Sequence, residues 1–191
     1  MDKLNIMIVG VGGQGTLLAS RILGSIAFKM NYDVKVSEVH GMSQRGGSVV
    51  TYVKFGKNIH SPLIEKCEAD IILAFEKLEA LRWVDHLKDD GMIIINEQEI
   101  DPMPVIIRKA KYPSEIIKTI NQKYKNVFTL DALKIAKQCG NLKAVNIVLL
   151  GVMAAKTDID KQVWIEAIKE TVPEKLLKIN FEAFNAGYQA I

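Results

Sequence analysis

Short apolar runs recur along the first 130 residues, and segments with a helical spacing of apolar positions separate most of them. Short apolar or alternating runs are typical of strands, whereas apolar residues that repeat every three or four positions are typical of helices. The predicted strands cover residues 4–9, 33–39, 48–55, 70–75, 92–96 and 126–130, with a further short strand at 105–107. The predicted helices cover residues 14–30, 76–87, 114–124 and 131–139, and a turn is predicted at 89–91.

This alternation predicts an α/β protein with a three-layer, Rossmann-like arrangement, in which a mostly parallel sheet carries helices on both faces. Beyond Gly140 the pattern is helical, with helices predicted at 142–155 and 160–171 and a last one that runs to about residue 190. Thr171 and Glu174 have the spacing of a capping box, which predicts the start of that last helix. We therefore expect a single domain over residues 1–191, with the C-terminal helices from about residue 142 packed on it.

Composition narrows the function classes. The formal net charge of +3 is small and spread along the chain, so a nucleic-acid partner is not expected. The apolar runs are too short to span a bilayer and no signal-peptide pattern opens the chain, which predicts a cytoplasmic protein with no membrane partner. Cys67 and Cys139 are too few to hold an iron–sulfur cluster alone, and no spacing of His and Cys is typical of a metal site.

The first predicted strand leads into a glycine-rich turn, Gly10-Val11-Gly12-Gly13-Gln14-Gly15, and then into a helix. In that setting glycines permit a tight turn and close approach of a ligand, and the amides at the helix start attract phosphate. Gly12, Gly13, Gln14 and Gly15 are therefore candidate cofactor-binding residues. Glu38 follows Gly15 by 23 residues, near the distance at which dinucleotide-binding folds place a ribose-binding carboxylate. The alternative is that these glycines only let the first helix pack close to the sheet.

The polar stretch at residues 40–47, His40-Gly41-Met42-Ser43-Gln44-Arg45-Gly46-Gly47, lies between two predicted strands and carries more chemistry than a hairpin needs. Arg45 is the strongest candidate, as a forked donor for a phosphate or for a carboxylate of a partner, with an ordinary intrachain salt bridge as the alternative. Gly46 and Gly47 would let backbone amides approach the same group, and Ser43 and Gln44 are further donors. His40 is the candidate for proton transfer or ligand orientation, or else a structural histidine bonded to the backbone of its own loop.

Several motifs in one order resemble a known family, the small (gamma-type) subunits of 2-oxoacid:ferredoxin oxidoreductases, and especially those that act on indolepyruvate. The resemblance rests on the glycine turn at 10–15 and on the block Ser37-Glu38-Val39 with residues 40–47. It continues through Ser61-Pro62-Leu63-Ile64, Ala69-Asp70, Glu76-x-x-Glu79-Ala80-Leu81-Arg82, Asn146 with Leu150-Gly151, and Phe184-x-x-Gly187-Tyr188. Lys66-Cys67-Glu68 departs from the family pattern, which has a glycine before the Ala-Asp pair.

The resemblance implies a non-redox subunit whose large alpha-type partner holds thiamine diphosphate, Mg²⁺ and the iron–sulfur clusters. Such enzymes decarboxylate an aryl 2-oxoacid such as indolepyruvate, pass electrons to ferredoxin and transfer the acyl group to coenzyme A. This chain would complete the active site of its partner and hold part of coenzyme A, with no cofactor bound by the chain alone. Two alternatives remain at this point: a stand-alone NAD(P)-dependent dehydrogenase, for which no proton relay is recognisable, and an adenylate-forming enzyme, for which no CxxC pair is present.

Overall fold

A computed structural model of the protein describes residues 3–41 and 46–191. The described chain forms one six-stranded sheet with helices on both faces, which confirms the predicted fold class. The strands are β1 (Lys3–Val11), β2 (Asp33–His40), β3 (Ser48–Gly56), β4 (Ala69–Ala74), β5 (Leu87–Asn96) and β6 (Asn126–Leu130). The helices are α1 (Thr16–Lys29), α2 (Lys77–Trp83), α3 (Met103–Ile106), α4 (Ile116–Lys123), α5 (Ala132–Gln138), α6 (Val145–Ala155), α7 (Lys161–Thr171) and α8 (Leu177–Tyr188).

The strand order is β2-β3-β1-β4-β5-β6, and β1, β4, β5 and β6 are parallel neighbours. β3 pairs antiparallel with both β1 and β2, so β2 runs in the same direction as β1 but lies one strand further out. The chain thus moves to one side of β1 with β2 and β3 and to the other side with β4 to β6. In sheets of this kind, ligands bind at the carboxyl ends of the strands where that reversal occurs.

Each face of the sheet buries its own apolar core. On one face, α1 and α5 to α8 pack on side chains such as Ile6, Ile8 and Leu73, which are at most 1% exposed. On the other face, α2, α4 and the chain after β3 cover residues such as Met7, Ile72 and Ile95. Burial on both faces explains why β1, β4 and β5 read as nearly continuous apolar runs.

The C-terminal helices pack on the domain, and they do so through unusually close backbone contact between α6 and α8. A Cβ atom added to Gly151 would lie 2.2 Å from the Phe184 carbonyl oxygen, and one added to Gly187 would lie 2.0 Å from the Val148 carbonyl oxygen. Only glycine permits this approach, so these residues set the distance between the two helix axes. Among the described residues no helix has the length and apolar character needed to cross a membrane.

Three local predictions are wrong. Residues 105–107 do not form a strand: Met103–Ile106 is a short helix that Pro102 precedes, since proline suits the first helical positions. Residues 89–91 are not a turn but part of β5, where a Cβ on Gly91 would lie 3.0 Å from the Ala69 carbonyl oxygen, so glycine suits the close approach to β4 there.

The predicted capping box at Thr171 is the third of these errors. Thr171 ends α7 instead of opening α8, because its hydroxyl donates back to the Ala167 carbonyl oxygen at 2.7 Å. Pro173 then precedes a single 3₁₀ turn, Glu174–Leu176, before α8 starts. A threonine in the last helical turn finds a free carbonyl behind it, and this local bond replaces the cap.

Candidate functional site

The carboxyl ends of β1, β2, β4 and β5 lie along one edge of the sheet, together with the beginning of the reversed strand β3. This edge therefore gathers the glycine turn after β1, both ends of the 40–47 stretch and the start of α2 after β4. The sequence prediction treated the glycine turn and the polar stretch as separate candidates. The inserted strand β3 is what brings them side by side.

Backbone hydrogen bonds join the two candidate segments directly. The Gly12 amide donates to the Gly47 carbonyl at 2.8 Å, and the Gly46 amide donates to the Gly12 carbonyl at 3.5 Å. Gly46 has φ 75° and Gly13 has φ 102°, both in the left-handed region that favours glycine. The glycines on both segments thus form one continuous backbone surface. Ser43, Gln44 and Arg45 lie outside the described residues, so their predicted roles stay predictions.

An open cleft of about 440 Å³ lies beside this junction. Its walls come from the glycine turn, the first turn of α1 and the facing ends of β2 and β3; they include Gly12, Gly13, Gly15, Thr16, Leu17, Glu38, His40 and Val49. His40 is exposed, and its Nδ1 lies 3.3 Å from the Gly41 carbonyl oxygen. The ring therefore contacts the backbone of its own loop, as the structural alternative for this histidine predicts.

The first turn of α1 lies beside this cleft, where Thr16 and Leu17 line it. Gly15 precedes the helix with φ 87°, provides no side-chain cap, and no acidic residue occupies the first turn. The opening amides of a helix have no carbonyl partner within the helix and carry the positive end of its dipole. This end of α1 is suited to an anionic group, whereas the Glu38 carboxylate on the opposite wall disfavours one nearby.

Gln14 has a structural role that its place in the turn did not reveal. Its Oε1 accepts from the Val11 amide at 2.7 Å, and its Nε2 donates to the Phe75 carbonyl at 3.0 Å and lies 3.3 Å from Gln98 Oε1. The side chain therefore ties the end of β1 to the end of β4, and its amide is already engaged within the chain.

A second cleft, of about 420 Å³, lies on the other side of the glycine turn. Gly13 and Gly15 line both clefts, and the second one is completed by Gln98, Lys143 and Asn146 among others. Asn146 Nδ2 donates to the Gly15 carbonyl at 3.2 Å, and a Cβ on Gly15 would come within 2.8 Å of that nitrogen. Gly15 thus lets α6 approach the turn, a packing role with a different helix from the first one that the sequence alternative named.

Two buried carboxylates at the start of α2 were not predicted to do more than suit the helix dipole. Glu76 is 1% exposed and caps α2 by accepting from the Glu79 amide at 2.9 Å; its other oxygen accepts from the Tyr112 hydroxyl. Glu79 is 4% exposed and accepts from Ser48 Oγ and from Arg82 Nε. Glu79 and Arg82 form an ion pair one turn apart on α2, at 3.2 Å.

Tyr112 stays protonated in this network. Burial raises the pKa of its hydroxyl, and the hydrogen bond to Glu76 raises it further. The hydroxyl therefore donates to Glu76 while it accepts from the Leu78 amide at 3.1 Å. The Glu76-x-x-Glu79 spacing was the signal in the sequence, but burial of both carboxylates depends on the connection after β5 folding over them.

The geometry disfavours the alternative of a stand-alone NAD(P)-dependent dehydrogenase. Glu38 does line the same cleft as the glycine turn, but β3 separates β2 from β1 and moves this carboxylate outward by one strand, roughly 5 Å. Its Oε2 is also bonded to Thr51 Oγ1, at 3.2 Å. In addition, Gln14 bridges the ends of β1 and β4, where such folds admit the dinucleotide.

The fold and the open, glycine-lined edge define a Rossmann-like domain of the kind found in multi-subunit 2-oxoacid oxidoreductases. The family model described as pyruvate ferredoxin/flavodoxin oxidoreductase matches residues 5–190. The chain belongs to this family, and it corresponds over its whole length to the small subunits within it.

Relatives of known name support this assignment. The chain is 40% identical to the indolepyruvate oxidoreductase subunit IorB of Pyrococcus horikoshii, over 100% of this chain and 96% of the relative. It is 39% identical to the protein of that name from Thermococcus kodakarensis, with the same coverage. From the latter organism, the pyruvate/ketoisovalerate oxidoreductases common subunit gamma is 29% identical, over 95% of this chain and 96% of the relative.

Solved structures share the fold. The gamma subunit of the keto/oxoacid ferredoxin oxidoreductase from Geobacter sulfurreducens matches with a TM-score of 0.73 and 23% identity, over 97% of this chain and 96% of that one. The 2-oxoglutarate:ferredoxin oxidoreductase of Magnetococcus marinus, solved with 2-oxoglutarate, coenzyme A and succinyl-CoA bound, matches with a TM-score of 0.72 and 18% identity. That match covers 98% of this chain but 31% of the other, so the same fold occurs there within a longer chain.

Proposed function

We propose that this chain is the small, non-redox subunit of an indolepyruvate- or arylpyruvate-specific 2-oxoacid:ferredoxin oxidoreductase. The observation that carries the proposal is the full-length identity of 36–40% to four subunits named IorB. In Thermococcus kodakarensis the IorB subunit is 39% identical and the pyruvate/ketoisovalerate subunit 29% identical to this chain. Both relatives come from one organism, so the difference in identity does not reflect distance between species. It supports indolepyruvate as the substrate of this enzyme.

The geometry supports a role as half of an active site. The joined glycine segments lie beside an open cleft, and the described residues that line it do not form a catalytic set of side chains. The described residues also contain no group of three or more His, Cys, Asp or Glu that could hold a metal ion. In this proposal thiamine diphosphate, Mg²⁺ and the iron–sulfur clusters belong to the large subunit, and ferredoxin is contacted through the assembled complex.

Coenzyme A fits part of this edge. Its phosphates require backbone amides and cations, and Gly13, Gly15 and Thr16 line the cleft at the positive end of α1. Glu38 sits on the opposite wall, so a phosphate would lie on the α1 side. When bound, coenzyme A supplies the thiol that accepts the acyl group, and the residues of this chain would hold its anionic portion.

Cys67 and Cys139 are both unpaired, which agrees with the expected cytoplasmic location.

Co-production with the large subunit tests the proposal. We expect a stable heteromeric complex that reduces ferredoxin with indolepyruvate and coenzyme A, and we expect turnover with pyruvate or 2-ketoisovalerate to be much lower. The small chain alone should be inactive. Failure of the two chains to associate, or reduction of NAD by the isolated small chain, would disprove the function.

A substitution of Arg45 tests the proposed role of this residue directly. We predict that Arg45→Ala in the assembled complex raises KM for coenzyme A or weakens subunit association by about tenfold, the size of one lost charge-assisted hydrogen bond. Arg21→Ala is the matched control, because Arg21 is an exposed arginine within α1. If both variants behave like the wild type in affinity, turnover and association, Arg45 has no role in the site.

A further inference from the structure

One buried carboxylate joins the end of the 40–47 stretch to helix α2. Glu79 is 4% exposed, and its Oε2 accepts from the hydroxyl of Ser48, the first residue of β3. Its Oε1 accepts from Arg82 Nε at 3.2 Å. We call Ser48, Glu79 and Arg82 the Glu79 clamp.

A second carboxylate continues this connection. Glu76 accepts from the Glu79 amide at 2.9 Å and, through its other oxygen, from the Ile100 amide at 3.1 Å and the Tyr112 hydroxyl. Ile100 and Tyr112 belong to the segment between β5 and α4. The network therefore links three segments at the same edge of the sheet: the start of β3, the start of α2 and the connection after β5.

The residues just before Ser48 need such an anchor. Gly46 has φ 75° and is followed by a second glycine, so the backbone there has many accessible conformations. Three contacts hold it among the described residues: the pairing of Ser48 with Val11 in the β1–β3 ladder, the backbone bonds between Gly12 and this glycine pair, and the bond from Ser48 to Glu79. Of these, the bond to Glu79 is made by a side chain. A charged acceptor binds a hydroxyl more strongly than a neutral one, and removal of the hydroxyl leaves a buried carboxylate with an unmet bond.

We propose that Glu79 is a positioning residue of the enzyme, which acts through Ser48 to hold the Gly46–Gly47 backbone against the glycine turn and so shapes the cleft for coenzyme A. The inference deepens the proposed function and rests on it. Glu79 itself does not line the cleft; its effect passes through the serine hydroxyl. Affinity for the ligand at this edge should therefore depend on the clamp more than the rate of decarboxylation does.

The test uses the complex assembled with the large subunit, in which Ser48→Ala and Glu79→Gln each interrupt the clamp. Both should raise KM for coenzyme A about tenfold, with kcat and the KM for the 2-oxoacid changed by no more than about twofold. The double variant should raise KM no further than Glu79→Gln alone, because that substitution already removes the charged acceptor of the Ser48 hydroxyl. Ser48→Thr, which keeps the hydroxyl, should restore the wild-type KM.

Ser25→Ala is the matched control, since the Ser25 hydroxyl also donates to a glutamate, Glu170, at 3.1 Å, but on the contact between α1 and α7. A purely structural clamp would lower the melting temperature and the active fraction, hence kcat, and leave KM for coenzyme A unchanged. An unchanged KM with a lower melting temperature would overturn the inference. So would an equal increase of KM in Ser25→Ala, or a Ser48→Thr variant that does not restore the wild-type KM. If the wild-type chains do not assemble or turn over, the proposed function itself fails, so the two failures are distinguishable.

Discussion

At the scale of single residues, Cys67 adopts a backbone conformation that usually belongs to glycine. Its φ is 60°, and its amide donates to the Asp85 carbonyl oxygen at 3.1 Å. Cys67 belongs to the turn Lys66-Cys67-Glu68, the segment that departs from the family pattern of a glycine before the Ala-Asp pair. The protein keeps the turn with a side chain that the left-handed region disfavours, at a cost of roughly 1 kcal/mol.

We predict that Cys67→Gly raises the free energy of unfolding by about 0.5 kcal/mol, since relief of the strain exceeds the added entropy of glycine in the unfolded chain. Chemical denaturation would measure the change. Cys67→Ala is the control, because it removes the exposed thiol and retains the strained φ. A Cys67→Gly variant that is less stable than Cys67→Ala would contradict the explanation.

His86 makes stability depend on pH. Burial lowers the pKa of its imidazole below the ordinary 6.5, and its ring packs on Trp83 with centroids 5.2 Å apart. Above pH 6.5 the ring is neutral in both the folded and the unfolded chain, so this stability is fully present. As the pH falls below 6.5 the unfolded chain takes up the proton first, and stability is lost until the lower pKa of the folded chain is reached.

We therefore predict that the urea midpoint decreases between pH 7 and pH 5.5 and that His86→Gln removes most of this slope. Carboxylates with lowered pKa values, such as Asp85 beside Lys123 and Glu170 beside Lys29, lose their contribution only at more acidic pH, as they become protonated. The loss of stability due to His86 therefore occurs at higher pH than the loss due to these carboxylates, and the two can be measured separately. An unchanged slope in His86→Gln would show that another group is responsible.

At the scale of elements, the α6–α8 contact has the strictest requirement in the fold. Cβ atoms at Gly151 and Gly187 would overlap backbone carbonyl oxygens, which cannot move aside as a flexible side chain can. We predict that Gly151→Ala forces the helices apart and lowers the free energy of unfolding by about 3 kcal/mol or more. Gly24→Ala in α1 is the matched control, since a Cβ there meets nothing within 4 Å.

The control should be stabilised by about 0.5–1 kcal/mol, because alanine favours a helix over glycine. Thermal and urea unfolding would measure the free energy of unfolding of both variants, which should change in opposite directions. If Gly151→Ala is as stable as the wild type, the close packing of α6 on α8 does not contribute to the stability of the protein.

The sequence predicted two kinds of element well: strands that are buried on both faces of the sheet, and helices that begin at a capping residue next to them in the chain. The runs at 4–9, 70–75 and 92–96 are strands near their predicted bounds. The helix predicted to start at residue 131 begins at that point, where Asp131 caps α5 by accepting from the Lys134 amide at 2.8 Å. The errors at 89–91 and 105–107 arose where polar or proline-rich sequence resembles a turn or an extended segment. Gly91 belongs to a strand because β4 lies against it, and a window of local sequence does not contain that neighbour.

At the scale of the whole molecule, strand order decides what the edge of the sheet can do. The insertion of β3 between β1 and β2 puts Gly46 and Gly47 in hydrogen-bonding contact with Gly12. The same insertion moves Glu38 away from β1, which removes the arrangement that a nicotinamide dinucleotide would need. One topological feature thus assembles the proposed half-site and disfavours the alternative function.

The sequence by itself determined the fold class, the family and the two segments that carry the candidate site, because these depend on periodicity and on motifs whose residues are adjacent in the chain. Only the tertiary structure decided that the two segments touch, that Gln14 is engaged between β1 and β4, and that Glu76 and Glu79 are buried. Each of those facts depends on residues far apart in sequence, such as Gly12 with Gly47 or Glu76 with Tyr112. The free energy of such contacts is set by strand order and packing, which no local pattern of apolar and polar residues encodes.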